Sequence, residues 1–351
     1  RPAVVPPFAP FAPTAADNLD LTLNAGSGDI ALSQASVVES AGALVMDSEE
    51  GNVSLTNNSR ATAVTDATIG AGGGVSLAQG SRLEATTGDL EVTATDGDFT
   101  ARDGSELRAG GDFTGNAGGD LAFTNGARAE ADGDLDLDAA DNMTIQDATV
   151  RADGDAALTA ASGDLAVTRS TVSAGGFLDG DAGGALTLTA ATLGSGETEI
   201  RRLAPLEPGS VDLTLNAGSG DLTLTDNSRV NSAGALVLGS DEGSVVLTRG
   251  SRAQAATDAT LTAATDVSVN LSSSVEAGEG DLTLTATDGD LSVTSGGSLV
   301  AGNDLTGTAG QNVTLDQSTA DAGGDLSLDA QGADLTLTNS RATAATDLDL
   351  R

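Results

Sequence analysis

The decapeptide DLTLNAGSGD occupies residues 20–29 and recurs unchanged at residues 212–221. The two copies are offset by 192 residues (212 minus 20), and similarity continues at that offset without gaps; residues 94–98 and 286–290 both read ATDGD. Within the decapeptide, leucine alternates with a polar residue, a period of two that is typical of a short β-strand with one buried face. Repetition on this scale predicts a stacked repeat protein and not a set of unrelated globular domains.

A shorter period lies inside the long one. Near the C-terminus, apolar residues recur every 21 to 23 positions in three interleaved series: Leu282, Leu305, Leu326 and Leu348; Leu291, Val313 and Leu335; Leu299, Ala320 and Ala342. Three series at one period predict three short strands per coil and coils of about 21–22 residues. The predicted fold class is all-β, a right-handed parallel β-helix (β-solenoid), since crossovers between parallel strands are almost always right-handed.

The prolines mark the limits of the repeats, because a central strand needs every backbone N–H group and proline has none. All seven lie within residues 1–18 and 201–210. The junction is predicted to be either a rigid spacer or a loop that bulges from one coil. The predicted organisation is a Pro-rich extended linker at 1–18, a solenoid repeat unit at 19–200, a junction or loop at 201–210, and a second, incomplete unit at 211–351.

The composition excludes several classes of function. A net charge of −37 leaves no basic surface for nucleic acid, and no apolar run is long enough for a transmembrane helix. Aromatic residues make up 2% of the chain, with no Trp or Tyr, so the core is expected to be thin and built from Ala, Val and Leu. Phenylalanines within the repeats are interpreted as core fillers: Phe99, Phe113, Phe123 and Phe177.

Aspartates beside glycine are the candidate metal ligands, because Ca²⁺ takes several oxygen ligands from turns. The iterated glycine-rich repeat of calcium-binding β-rolls is missing, so structural turns are the favoured interpretation and Ca²⁺ the alternative. No other cofactor is predicted. The weak calcium candidates are Asp96, Asp98, Asp132, Asp134, Asp288 and Asp290.

No catalytic or cofactor-binding residue is predicted. The chain has no His and its basic residues are all Arg, so neither imidazole nor lysine supplies a general base of tunable pKa. Pairs of carboxylates are uninformative among 52 acidic residues, although parallel β-helices do carry polysaccharide-cleaving sites on other proteins. We therefore expect a protein that is not an enzyme.

Two outward patterns complete the predictions. The pair Thr283 and Thr285 is expected to stack on Thr306 and Thr308; aligned threonines organise water in ice-binding solenoids, but they are also ordinary strand residues. Arginines after Ser or Ala are predicted to share one outward position, either in surface ion pairs or in a stripe that binds acidic glycans. They are Arg60, Arg82, Arg128, Arg229, Arg252 and Arg341.

Three segments resemble the haemagglutinin repeats of filamentous-haemagglutinin-like adhesins: AGGDLSLDA at 322–330, GGALTLTA at 183–190 and GSLVAGNDL at 297–305. The resemblance covers nearly all of the chain outside 1–18 and 201–210. It implies a large secreted protein at a bacterial cell surface, and it transfers no catalytic residues.

The predicted function is that of a non-catalytic extracellular structural or adhesive protein, a rigid β-solenoid stalk or filament segment. The alternative is a self-assembling extracellular fibre or sheath subunit that stacks end to end, and a β-helix polysaccharide-active enzyme ranks third. Expected partners are the chain itself, end to end or laterally, and glycans or proteins on host or neighbouring cells, but not nucleic acid.

Overall fold

The structure is a computed structural model that describes residues 19–196 and 211–351. The predicted linker at 1–18 and the predicted junction at 201–210 lie outside the described residues. Strands and turns account for all of the described chain, so none of it forms a helix of the length and apolarity that crossing a membrane requires. The β-solenoid is confirmed, with about 14 turns; its hand stays a prediction.

Every pairing between strands is parallel, and the strands form three sheets, A, B and C, which each coil visits in that order. Sheet A consists of β1 (Leu21–Asn24), β4 (Leu44–Ser48), β7 (Ala67–Ala71), β10 (Leu90–Ala94), β13 (Phe113–Ala117), β16 (Leu135–Ala139), β19 (Ala156–Ala160), β22 (Leu178–Ala182), β25 (Leu213–Ala217), β28 (Leu236–Ser240), β31 (Ala259–Ala263), β34 (Leu282–Ala286), β37 (Leu305–Ala309), β40 (Leu326–Ala330) and β43 (Leu348–Leu350).

Sheets B and C have 14 strands each. Sheet B consists of β2 (Ile30–Leu32), β5 (Val53–Leu55), β8 (Val75–Leu77), β11 (Phe99–Arg102), β14 (Leu121–Thr124), β17 (Met143–Gln146), β20 (Leu165–Thr168), β23 (Leu186–Thr189), β26 (Leu222–Thr225), β29 (Val245–Leu247), β32 (Val267–Val269), β35 (Leu291–Thr294), β38 (Val313–Asp316) and β41 (Leu335–Thr338). Sheet C consists of β3 (Val37–Ser40), β6 (Arg60–Ala63), β9 (Arg82–Ala85), β12 (Glu106–Ala109), β15 (Arg128–Ala131), β18 (Thr149–Ala152), β21 (Thr171–Ala174), β24 (Thr192–Ser195), β27 (Arg229–Ser232), β30 (Arg252–Ala255), β33 (Ser274–Ala277), β36 (Ser298–Ala301), β39 (Thr319–Ala322) and β42 (Arg341–Ala344).

The predicted register of the anchors is confirmed. Leu282 pairs with Leu305 and Leu305 with Leu326 in sheet A, and the series in sheets B and C pair as predicted. Because side chains alternate along a strand, each coil places its apolar strand residues inside and its polar strand residues outside. The stack of inward side chains forms one continuous core, which no single coil has enough apolar surface to make alone.

The same three sheets contain both predicted repeat units. Leu178 of β22 pairs with Leu213 of β25, and the neighbouring strands of sheets B and C pair across the same step. Strands that precede residue 197 are therefore directly hydrogen-bonded to strands that follow residue 210, with no interruption of the sheets between the units.

Turns between sheets B and C explain why serine so often precedes an outward arginine. Asn57 and Asn58 adopt φ angles of 55° and 59°, in the left-handed region that Asn tolerates better than most residues. The chain then turns Ser59 inward, where its hydroxyl donates to the Thr56 carbonyl at 2.6 Å. The next residue, Arg60, opens strand β6 on the outer face.

The phenylalanine prediction is confirmed at three positions and wrong at the fourth. Phe99, Phe113 and Phe123 are fully buried, and the rings of Phe99 and Phe123 meet edge to face with centroids 5.6 Å apart. Gly115 faces inward beside them, and a Cβ there would lie 3.1 Å from Phe99 Cε1, so its missing side chain makes room for the ring. Phe177 is 50% exposed, because it precedes strand β22 at a turn and occupies no inward strand position.

Candidate functional surfaces

The outer surface of the solenoid divides into three faces and three corners. Faces A, B and C are the outward side chains of sheets A, B and C. The A–B, B–C and C–A corners are the turns that connect those sheets along the chain. Apart from the two ends of the stack, these are the surfaces open to a binding partner, because the inward positions of the strands form the apolar core.

Ladders of carboxylates run along the C–A corner. The backbone N–H of Asp89 donates to Asp66 Oδ1 at 3.0 Å, and that of Asp112 donates to Asp89 Oδ1 at 2.9 Å. The same bond repeats from Asp134 to Asp112 at 2.8 Å. Each aspartate thus holds the first N–H of the next coil, outside the regular strand pairing. The ladder residues are Asp66, Asp89, Asp112, Asp134 and Asp155, and again Asp258, Asp281, Asp304, Asp325 and Asp347.

A second ladder, of Asp and Asn, runs along the A–B corner. The N–H of Asp120 donates to Asp98 Oδ1 at 3.0 Å, and the N–H of Asn142 donates to Asp120 Oδ1 at 3.0 Å. Asn142 also donates its side-chain amide to Asp120 at 3.0 Å. Sheet A therefore has one ladder where its strands begin and another where they end, and carboxylates are concentrated at both corners.

The ladders give a physical reason for the recurrent Gly-Asp dipeptide. A Cβ at Gly119, which precedes ladder residue Asp120, would lie 2.5 Å from Asp98 Oδ1 of the preceding coil. Glycine at this position leaves space for the carboxylate that receives the next N–H group. The signal was present in the sequence as Gly-Asp pairs spaced by one coil, but its meaning depends on the stacking.

We expect Gly119→Ala to lower the free energy of unfolding by about 1–3 kcal/mol through overpacking. Asp98→Ala removes one hydrogen bond, worth about 0.5–1.5 kcal/mol net. Without that carboxylate, the other atoms near a Cβ at position 119 are 3.5 Å away, which is ordinary contact. In urea denaturation, the double variant should therefore lose less unfolding free energy than the two single variants lose in sum, by at least about 0.5 kcal/mol. Strict additivity would contradict the steric role.

The calcium candidates lie within these corners. Asp98, Asp134 and Asp290 are ladder residues that accept backbone N–H groups. Asp132 pairs with Arg108 at 3.2 Å. Asp96 and Asp288 stand two positions before the A–B ladder residues. Across residues 19–196 and 211–351, no three His, Cys, Asp or Glu side chains are grouped to hold a metal ion, and calcium binding stays a prediction.

Face A is acidic. Its charged side chains, all of them carboxylates, are Asp47, Glu91, Asp136, Asp138, Asp179, Asp181, Asp329 and Asp349. Partial burial on the sheet raises the pKa of Asp136 and Asp179 above the ordinary value for aspartate, and the neighbouring Asp138 and Asp181 raise it further.

We expect Asp179→Asn to raise the midpoint of thermal unfolding at pH 7. A carboxyl whose pKa is higher in the folded chain than in the unfolded chain disfavours folding while it is ionised. The gain should shrink as the pH falls through the raised folded pKa and vanish below the unfolded value, near pH 3. Thermal melts of both proteins between neutral and acidic pH measure this, and an equal midpoint at pH 7 would contradict it.

The threonine stacking on face A is confirmed. Thr283 pairs with Thr306, and Thr306 pairs with Ser327, where the column of threonines ends. The structure adds Thr260, which pairs with Thr283 in the preceding coil and was not recognised from the sequence. The sequence signal for this position was the Thr-x-Thr pair that begins at Thr260, one coil before Thr283.

Face C contains most of the described arginines, and the predicted arginines do share one outward position. Arg60 pairs with Arg82, and Arg229 with Arg252, each as the first residue of its strand. Arg82 forms ion pairs with Glu84 at 3.1 Å and with Glu106 at 3.3 Å. The charged side chains of face C are Glu39, Arg60, Arg82, Glu84, Glu106, Arg108, Arg128, Glu130, Arg151, Arg229, Arg252, Glu276, Asp321 and Arg341.

Face B is almost free of charge in a chain of net charge −37. Its charged strand residues are Arg102 and Asp316. The remaining outward positions hold Thr, Ser, Ala, Val and Gln, for example Thr187 and Thr189 of β23, which pair with Thr223 and Thr225 of β26. This segregation of charge was not predicted, because it becomes visible only when the strands are assigned to their sheets.

Comparison of the chain with known protein families, curated proteins and solved structures gave no match. The fold class therefore depends on the strand pairing described above. The likeness to filamentous-haemagglutinin-like adhesins remains a resemblance between short segments.

Proposed function

We propose that this chain is a non-catalytic, rigid segment of an extracellular surface protein of the adhesin type. The observation that supports the proposal most directly is the unbroken register of the three sheets. Each strand of an internal coil pairs with its equivalents in the coils on both sides, from β1 to β43. At about 4.8 Å per coil, some 14 turns hold the two ends of the stack roughly 65–70 Å apart. Because each internal coil is hydrogen-bonded to both of its neighbours, such a stack holds its two ends at a fixed distance.

The carboxylates of the corners support a mechanical role. Many of them accept backbone N–H groups in the ladders, which commits them to holding coils together. Repetition of similar faces also suits weak but multivalent contact with glycans or proteins on another cell.

Electron microscopy of the source cells, with antibodies against residues 211–351, tests the proposal. Label on the exterior of the cell, on single projecting structures, is the expected result. Continuous polymers built from identical short chains would replace the stalk with the end-to-end fibre. Label confined to the cell interior would overturn the extracellular assignment altogether.

A separate assay tests whether the protein is an enzyme. We expect no release of reducing ends when the purified chain is incubated with a panel of neutral and acidic polysaccharides. Reproducible turnover that disappears in Asp136→Asn or Asp179→Asn would establish a β-helix enzyme and overturn the structural role.

A further inference from the structure

Face B differs from the surfaces beside it in the charge that it carries. The A–B corner on one side holds acidic residues and no basic ones in the described chain, including Asp98, Asp120 and Asp164. The B–C corner on the other side is mixed: Arg169 pairs with Asp147 at 2.6 Å, and Arg249 pairs with Asp226 at 3.2 Å. Two copies of so acidic a chain repel each other at most orientations. Of the three faces, face B brings the fewest charged side chains to a contact with its own counterpart.

The size of face B fits a stable contact. Fourteen strands at about 4.8 Å span roughly 60 Å, and four residues at about 3.3 Å give a width of roughly 13 Å. The product is roughly 800 Å² for each partner, which is the standard size of a specific protein–protein interface. The side chains suit sheet-on-sheet packing better than carboxylates would, because Ala166 and Val246 lose no hydrogen bond on dehydration. The Thr and Ser hydroxyls can each donate and accept a hydrogen bond across the contact.

We propose that face B is the contact surface between two copies of this chain, stacked sheet on sheet at the usual separation of about 10 Å. The columns of Thr, Ser and Ala from one copy interdigitate with those of the other, as identical side chains do between paired sheets. This inference goes beyond the proposed function, since it holds whether or not the protein adheres to anything.

Charge also selects the orientation of the pair. A two-fold axis parallel to the solenoid axis places the A–B corner of one copy opposite the B–C corner of the other, where Arg169 and Arg249 lie. A two-fold axis parallel to the strands of face B makes the two solenoid axes antiparallel. It places the two acidic A–B corners against each other. Like charges brought together at an interface are costly, so the pair is parallel and isologous.

Sedimentation velocity of the full chain tests the association. At protein concentrations on the order of 100 µM, we expect monomers in about 0.01 M salt and dimers in about 0.5 M salt, because salt screens the repulsion between copies. Thr187→Lys with Thr223→Lys should weaken dimerisation by more than about tenfold, since each introduces a charge into the interface. Thr283→Lys with Thr306→Lys changes net charge equally on face A and should leave dimerisation intact.

The orientation is tested with single cysteines and a short thiol cross-linker, since the chain has no cysteine of its own. Ser76 lies in the third strand of sheet B and Thr187 in the eighth. In a parallel pair, Ser76→Cys and Thr187→Cys both cross-link to their counterparts. In an antiparallel pair, Thr187→Cys still does, but the two copies of Ser76→Cys lie about nine coils, or roughly 43 Å, apart.

Circular dichroism first confirms that each variant retains β-structure. Monomers at every salt concentration would overturn the proposal, as would equal weakening by the face A and face B lysine pairs. Cross-linking at position 187 without cross-linking at position 76 would overturn the parallel arrangement. None of these results bears on the localisation of the protein, so failure here is distinguishable from failure of the proposed function.

Discussion

Deletion of residues 156–177 should leave a folded protein, although 22 residues from the middle of the chain are lost. The deleted segment is one complete coil, β19 to β21. Its removal joins Asp155 directly to Leu178, the same Asp-Leu step that joins Asp134 to Leu135 in the wild type. Leu135, Leu137 and Ala139 of β16 then lie beneath Leu178, Gly180 and Ala182 of β22, so that inward residues still meet inward residues.

The stability of a stacked repeat protein is approximately a sum over coils and their contacts with nearest neighbours. We therefore expect the thermal midpoint to fall by only on the order of 5 °C for the complete coil. Deletion of residues 156–166 is the matched control, because the remainder of that coil is too short for three strands. It should lower the midpoint by more than about 15 °C or split the transition in two. Similar effects of the two deletions in circular dichroism melts would contradict stacking with a period of one coil.

Phe99→Ala should cost about 3–5 kcal/mol of unfolding free energy. Phe99 is fully buried, and its ring lies against Phe123 and beside Gly115, which has no side chain to move into the space left behind. Loss of the edge-to-face contact adds to the cost of the cavity. Urea denaturation, followed by circular dichroism, measures the change.

The chain offers its own control for that measurement. Phe177→Ala removes the same atoms from a side chain that is 50% exposed at the C–A corner, and we expect a loss of less than about 0.5 kcal/mol. If both substitutions destabilise the protein equally, the assignment of Phe99 to the core is wrong.

Much of the fold could be predicted because the stacking repeats itself in the sequence. The pairing of Leu282 with Leu305, and of Arg60 with Arg82, follows from spacing alone, since a one-coil offset brings equivalent residues together. Alternation of Leu with Thr then assigns the inward and outward positions. No long-range information beyond the period was needed for this part of the structure.

What could not be predicted depends on how the corners turn. Phe177 is an apolar residue of the kind that fills cores, but it lies at a corner, where its N–H donates to Asp155 as in the ladder. The alternation of inward and outward residues within strands does not extend to such a position. The role of Asp98 as an acceptor for the N–H of Asp120 requires the distance between successive coils at a turn. The low charge of face B likewise becomes visible only when each strand is assigned to its sheet. The candidate surfaces therefore emerged only from the structure.

The ladders also give the stack a direction. In every ladder bond, the carboxylate or carboxamide oxygen belongs to the earlier coil and the N–H to the later one, as from Asp89 to Asp66 and from Asp120 to Asp98. One rim of each coil consequently presents oxygen acceptors at these corners, and the opposite rim presents nitrogen donors. Two such stacks joined head to head would meet oxygen against oxygen, whereas head-to-tail joining continues the ladder. The hydrogen-bonding groups of a single coil therefore set the direction in which such stacks join end to end.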